Sequence, residues 1–229
     1  MATAVLLSGG LDSAVLLAEE ARRVPATDVH PIYVSVGLAW ESAERVAVAR
    51  FLSAARLGSR VQPLVSLAVD MSDVYPASHW ARRGRPPGYH TPDEEVYLHG
   101  RNIVLLAKAG VYCATKGIDR IVLGTLDHNP FPDATPAFRQ AMASALSQGL
   151  AHALVVDAPY ARVGKAEVVK RGLALGLPLA ATLSCMNPVG NGAAPRHCGL
   201  CSKCRERHDA FLEAGAEDTT DYVDRAFTN

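Results

Sequence analysis

Residues 3–13, Thr-Ala-Val-Leu-Leu-Ser-Gly-Gly-Leu-Asp-Ser, constrain the fold more than any other stretch of this chain. A short apolar run leads straight into paired glycines, and a segment with helical spacing (about 12–24) follows. That is a strand, a tight loop and the start of a helix. Paired glycines let the backbone approach a ligand closely, Ser8 and Ser13 supply hydroxyls, and the helix start contributes unpaired N–H groups and a positive dipole end. Asp12 suits the first turn of that helix and is placed to help hold magnesium. A bare Gly-Gly here would read as an ordinary strand-to-helix turn with Asp12 or Ser13 as N-cap. The six residues Ser8, Gly9, Gly10, Leu11, Asp12 and Ser13, in this order and setting, point instead to phosphate binding. A Gly-x-x-x-x-Gly-Lys-Ser/Thr loop is absent, which argues against a kinase or a motor driven by the γ-phosphate.

The rest of the chain repeats the same rhythm. Apolar runs near 3–7, 30–36, 60–66, 120–124 and 153–157 read as buried strands. Segments 12–24, 41–57, 101–117, 136–150 and 164–175 have helical spacing. Alternation of this kind predicts an α/β fold with a mostly parallel sheet and helices on both faces. Ligands bind such sheets at the carboxyl ends of the strands, so the loops after residues 7, 36, 124 and 157 surround one expected crevice. Two stretches break the pattern. Residues 70–100 hold Pro76, Pro86, Pro87 and Pro92 with no clean periodicity, and a connection that long is a functional loop, a lid or a disordered segment. Residues 184–204 are cysteine-rich, with Gly190, Gly192 and Pro195 marking a loop.

At 229 residues the chain is long enough for one compact domain with a small appendage. The 23 basic side chains balance the 23 acidic ones. Proteins that grip nucleic acid draw most of their affinity from phosphate neutralisation, so this balance argues for a small substrate and against nucleic acid. No apolar run is long enough to span a bilayer, and the N-terminal stretch lacks the basic region of a signal peptide, so the expected location is the cytoplasm.

In a reducing compartment clustered cysteines argue for metal rather than disulfides. Cys185, Cys198, Cys201 and Cys204 have the spacing Cys-x12-Cys-x2-Cys-x2-Cys. Four thiolates suit tetrahedral zinc and close its coordination shell, as structural sites do. Iron–sulfur ligation is the rival reading of the same spacing. His197 reads as a bystander, and Cys113, inside an apolar helix, reads as core.

The loop at 8–13 resembles the PP-loop of the N-type ATP pyrophosphatases, which cleave ATP to AMP and pyrophosphate. Combined with the four cysteines, it resembles the 7-cyano-7-deazaguanine synthase family over about residues 4–211. Gly100-Arg101-Asn102, Gly124, Phe131-Pro132-Asp133, Lys165-Ala166-Glu167, Ser184-Cys185 and Cys198-Gly199-Leu200-Cys201 with Cys204 and Arg207 all match that family's pattern. The resemblance implies a Rossmann-like, adenine nucleotide α-hydrolase sheet over residues 1–180 and a small zinc-binding subdomain over 181–229. It implies ATP with magnesium as co-substrate, one structural zinc per chain, and a homodimer. Its substrates would be 7-carboxy-7-deazaguanine and an amine, with ammonia favoured. Ser8, Gly9, Gly10, Leu11, Asp12, Ser13 and Gly124 would bind ATP, with Asp12 and Lys165 catalytic. Arg101, Asn102 and Asp133 would bind the deazaguanine; each also reads as a helix-cap or turn residue.

One stretch departs from the family. Where an Asp/His-Tyr-Gly/Asn-Gln-Arg-His segment is expected, the chain has Ser35-Val36-Gly37-Leu38-Ala39-Trp40-Glu41. That edge lies beside the expected crevice, so a repurposed family member that transfers the activated carboxylate to another amine is an alternative. A PP-loop enzyme that modifies tRNA is a second alternative, and a zinc-ribbon binding module with a vestigial loop is a third.

Overall fold

The computed structural model describes residues 2–190 and 194–227; Gly192, expected in a loop, lies outside them. Five strands form one parallel sheet: β1 (Thr3–Leu6), β2 (Val29–Ser35), β3 (Val65–Ala68), β4 (Arg120–Val122) and β5 (Val155–Asp157). Their order is β3-β2-β1-β4-β5. The chain therefore runs outward from β1 through β2 and β3, then returns to lay β4 on the other side of β1. That reversal is the point at which α/β sheets bind ligands, because the loops leaving β1 and β4 diverge and open a crevice.

Helices α1 (Leu11–Ala21), α2 (Glu41–Ala54), α3 (Trp80–Arg83), α4 (Arg101–Lys116), α5 (Pro136–Leu150), α6 (Lys165–Ala174) and α7 (Ser202–Ala214) complete the order. Strand side chains alternate between faces, so Val5 and Leu7 meet α1, α2, α6 and Phe211 of α7, while Ala4 and Ile32 meet α4. Leu16, Leu17 and Phe51 are fully buried on the first face, each worth roughly 1.5–3 kcal/mol in water-excluded area. Cys113 is core on the second face, and burial pushes its thiol pKa up to about 12.

The third strand lies later than the expected 60–66. Val29 and Val61 form an isolated parallel bridge, then pairing lapses until Ile32 meets Val65. Pro31 and Pro63 lack N–H groups and sit in the gap, so the ladder cannot run through it. Helix α7 was not expected at all, and it packs Ala210 and Phe211 against the same core as α1. Arg207, fully buried on α7, donates to Thr220 Oγ1 at 2.7 Å, Thr182 Oγ1 at 2.9 Å and the Leu179 carbonyl at 2.9 Å, which ties the helix to the chain that precedes the cysteines.

The 70–100 connection is ordered by contacts with distant parts of the chain. Trp80 stacks on Trp40, with ring centroids 5.9 Å apart. Arg205 of α7 donates to the carbonyls of Tyr89 at 2.9 Å and Thr91 at 3.2 Å.

One ion triad fastens the first helix to the sheet. Arg120 on β4 donates to Glu20 of α1 and Asp157 of β5, both at 2.7 Å. Arg120 and Glu20 are both buried, so removing the cation strands a carboxylate away from water. Arg120→Leu is expected to lower stability by about 3–5 kcal/mol, read from the urea midpoint at neutral pH. A loss below about 1 kcal/mol would contradict this role for the triad.

Candidate active site and four-thiol centre

The crevice opens at the carboxyl ends of β1 and β4. Ser8, Gly10, Asp12 and Ser13 line one wall, and Gly124, Thr125, Asn129, Phe131 and Asp133 line the other. Arg101 and Asn102, at the start of α4, stand between them. A second branch of the crevice carries Leu11, Trp40, Glu44, Trp80, Lys165, Leu183 and Ser184. Every residue expected to bind nucleotide or substrate therefore lines this crevice except Gly9, which lies behind the loop.

Gly9 has φ +81, and a Cβ there would lie 3.0 Å from the Glu44 carbonyl oxygen, so only glycine lets the loop fit under α2. Gly124 eases the packing in a different way. A Cβ on it would lie 3.3 Å from the backbone of Asp12 and Ser13, the first turn of α1. The loop holds its own shape: Ser13 Oγ donates to the Gly10 carbonyl at 3.1 Å and accepts from the Ser8 N–H at 3.3 Å. Leu183 N–H donates to the Gly9 carbonyl at 2.8 Å, clamping the loop to the segment before the cysteines. The first-turn N–H groups of α1 have no carbonyl of their own helix to bond, and Leu11, Asp12 and Ser13 line the crevice, an arrangement suited to an anion.

Lys165, the first residue of α6, reaches Asp12 Oδ2 at 3.2 Å and Glu206 Oε2 at 2.5 Å. Burial alone would lower its pKa, but the two carboxylates outweigh burial and the net shift is upward, so the ammonium form is held. Burial would raise the Glu206 pKa; Lys165 and Lys203 bring it instead to about 2. The other oxygen of Asp12 is buried with no hydrogen-bond partner in the protein, and so is Arg101 Nε. A cation beside Asp12 and an anionic acceptor beside Arg101 would satisfy both, so Asp12 fits a magnesium ion and Arg101 an anionic ligand group.

Asp133 and Asn102 work as a pair. Asp133 Oδ2 accepts the Asn102 backbone N–H at 3.0 Å, and Asn102 Nδ2 donates to Asp133 Oδ1 at 3.3 Å and to its carbonyl at 3.1 Å. The carboxylate thus satisfies the start of α4 from across the crevice, where Gly100 gives no side-chain cap. Reading the residues separately missed this coupling.

Reading the sequence also missed Glu44, Lys203 and Glu206. Glu44 is buried and accepts Tyr33 Oη at 2.9 Å and Trp40 Nε1 at 3.1 Å. Burial raises its pKa to about 7, with Arg101 and the hydrogen bonds opposing the rise. Glu41 also points inward and holds the Val36 N–H at 2.7 Å and the Ser35 hydroxyl. Trp40, in the stretch that departs from the family pattern, is buried and forms an aromatic wall with Trp80.

The four cysteines outside α4 converge. The Sγ atoms of Cys185, Cys198, Cys201 and Cys204 all lie within 4.8 Å of one another and are buried. Three of the spacings are 3.5, 3.9 and 3.9 Å. A tetrahedral ion with metal–sulfur bonds near 2.3 Å sets its sulfurs about 3.8 Å apart, so the thiols fit one ion. A four-iron cluster, with its own sulfides between the irons, would spread them wider. The Asn187 and Cys198 N–H groups donate to Cys185 Sγ at 3.3 and 3.2 Å, as second-layer donors to a thiolate do. His197 is outside the ligand set; its Nε2 accepts the Ser184 N–H at 3.1 Å.

Sheet order, loop and crevice define a nucleotide-binding α/β protein of the PP-loop class, with four converging thiols that could hold a metal ion. The family model described as "Queuosine biosynthesis protein QueC" matches residues 2–215. The chain belongs to that family of ATP-dependent enzymes. A 7-cyano-7-deazaguanine synthase from Anaeromyxobacter dehalogenans is 35% identical over 96% of this chain and 94% of its own. A protein of the same name from Thiobacillus denitrificans is 36% identical over 96% of this chain and 97% of its own. A solved 4-thiouridine synthetase, in complex with RNA and ATP, overlays with a TM-score of 0.48 at 14% identity. It covers 93% of this chain but 51% of the other, a likeness too loose to carry an argument. Among the described residues no helix is long and apolar enough to cross a membrane.

Because the four thiols lie within reach of a single ion, Cys201→Ser is expected to lower both bound metal and thermal stability. Elemental analysis and a melting curve of the purified protein check this together. Unchanged metal content in the variant would contradict the four-thiol assignment.

Proposed function

We propose that this enzyme converts 7-carboxy-7-deazaguanine and ammonia to 7-cyano-7-deazaguanine, using ATP twice. The observation that carries the reading is the pairing of Lys165 with Asp12 of the glycine loop, in a crevice where Asp12 Oδ1 and Arg101 Nε are both buried without a hydrogen-bond partner. In the first half, the substrate carboxylate attacks the α-phosphorus of ATP, forming an acyl-adenylate and releasing pyrophosphate. Ammonia then adds to the carbonyl carbon, AMP leaves, and a proton is lost to give the amide. In the second half the amide oxygen attacks a second ATP, again releasing pyrophosphate. Loss of AMP and of the two N–H protons leaves the nitrile.

The loop residues Ser8, Gly10, Leu11 and Ser13, with Gly124 on the facing wall and Gly9 shaping the turn, cradle the phosphates. Asp12 would hold magnesium, which supplies charge neutralisation on the phosphate oxygens. Lys165 stabilises charge on the α-phosphate, and such positioned donors act where charge develops. Arg101 pairs with the substrate carboxylate. The Asn102–Asp133 pair meets the base edge, where the remaining lone pairs of Asp133 accept its adjacent N–H donors. The same reading assigns structural zinc to the four thiols. It divides the chain into a nucleotide domain over 1–180 and a zinc subdomain over 181–229, working as a cytoplasmic homodimer.

A second reading keeps the first half-reaction and replaces ammonia by a larger amine. Trp40 favours it, because with Trp80 it gives the second branch of the crevice an aromatic wall where the family pattern has a polar side chain. Product mass separates the two. With 7-carboxy-7-deazaguanine, ammonium and excess ATP, the synthase yields the nitrile and about two AMP per product; amide with about one AMP per product supports the second reading. Asp12→Asn and Lys165→Ala are each expected to slow AMP formation by about a hundred- to a thousandfold. ADP and phosphate as direct products would overturn both readings.

A further inference from the structure

The turn between the last two cysteines carries a side chain that the metal does not use. Lys203 stands between Cys201 and Cys204 at the start of α7, and its ammonium pairs with Glu206. It enters the same crevice branch as Ser8, Gly10, Asp12 and Lys165. Lys203 Nζ lies 2.5 Å from Glu206 Oε1, while Glu206 Oε2 holds Lys165 Nζ at 2.5 Å. One carboxylate therefore bridges two ammonium groups, a spacing suited to neighbouring phosphoryl groups. Asp12 at 3.2 Å from Lys165 and Asp93 at 3.7 Å from Lys203 end the chain of alternating charge. Arg205 also reaches Asp93, at 3.6 Å.

Such a chain is more than a surface ion pair. Glu206 and both lysines are largely buried, with side-chain exposures between 14% and 24%. Asp93 Oδ1 is buried without a hydrogen bond, so its hold on Lys203 at 3.7 Å is loose and a stronger acceptor can displace it. The helix that presents Lys203 is fixed at its start by two of the four thiols and in its middle by the buried Arg207. The cation is therefore preorganised.

We infer that Lys203 is a second phosphate-binding cation, which with Lys165 grips the pyrophosphate end of ATP, and that Glu206 is the positioning residue that sets their spacing. The inference rests on the proposed adenylating reaction and deepens it. Lys165 serves the α-phosphate, where the new bond forms. Lys203 takes charge that collects on the departing pyrophosphate, so the four-thiol centre contributes to leaving-group stabilisation through the lysine it presents.

Calorimetric titration with inorganic pyrophosphate and magnesium tests this without the carboxylate substrate. Lys203→Met, and Lys203→Gln as a second variant, are expected to weaken pyrophosphate binding by about ten- to a hundredfold, the size of a lost hydrogen bond to a charged group. AMP binding and metal content should stay as in the wild type. Lys203→Arg should retain most of the affinity, and Lys170→Met, on the exposed side of α6, should change nothing. Glu206→Gln should weaken pyrophosphate more than AMP. Wild-type affinity for pyrophosphate in both uncharged Lys203 variants, an equal loss for pyrophosphate and AMP, or wild-type protein that binds no pyrophosphate would overturn the inference. Failure of the reaction assignment shows separately, as wild-type protein that binds pyrophosphate through Lys203 yet makes no AMP from the carboxylate.

Discussion

The crevice depends on how closely the first turn of α1 sits against its neighbours. Gly9 passes under the Glu44 carbonyl where a Cβ would meet it at 3.0 Å, and Gly124 lets the loop after β4 press on the backbone of Asp12 and Ser13. With a side chain at either position the helix start would move outward. The first-turn N–H groups, Asp12 and the serine hydroxyls would move with it. The sheet order concentrates these constraints in one place, because β1 and β4 are neighbours whose exits diverge.

A second dependence runs from the cysteines to the nucleotide end of the crevice. Helix α7 begins inside the thiol cluster, places Glu206 against Lys165, and packs Phe211 into the core beneath α1. Arg207 holds that helix with neutral oxygens alone: two threonine hydroxyls, a serine hydroxyl at 3.3 Å and a carbonyl. Burial accordingly lowers its pKa. The thiol cluster thus fixes the helix whose Glu206 holds Lys165. Arg205 extends the same helix's reach to the 70–100 connection, whose Val96 and Leu98 line the crevice.

How much of this was legible in the sequence follows the range of each interaction. The 3–13 loop and the two-residue cysteine spacings are local, and both are found where the sequence places them. The third strand moved because Pro31 and Pro63 interrupt pairing, a consequence of two chain segments meeting rather than of either alone. Helix α7 was invisible because Ser202–Ala214 is mostly polar, with Ala210 and Phe211 nearly its whole apolar contribution to the core. The Asn102–Asp133 bond spans 31 residues and the Lys165–Glu206 pair 41, so no local pattern announces either. The 70–100 segment is likewise held in part from a distance, by α7 and Trp40, besides its own bonds such as Tyr75 Oη to the His99 carbonyl at 2.7 Å.

The central claim is that this crevice directs a carboxylate at the α-phosphorus of ATP. Labelling both carboxylate oxygens of 7-carboxy-7-deazaguanine with oxygen-18 tests it most directly, with mass spectrometry of the nucleotide products. Each AMP released on the way to the nitrile should carry one label, and pyrophosphate none. Label in phosphate or pyrophosphate, or AMP that carries no label, would contradict the account.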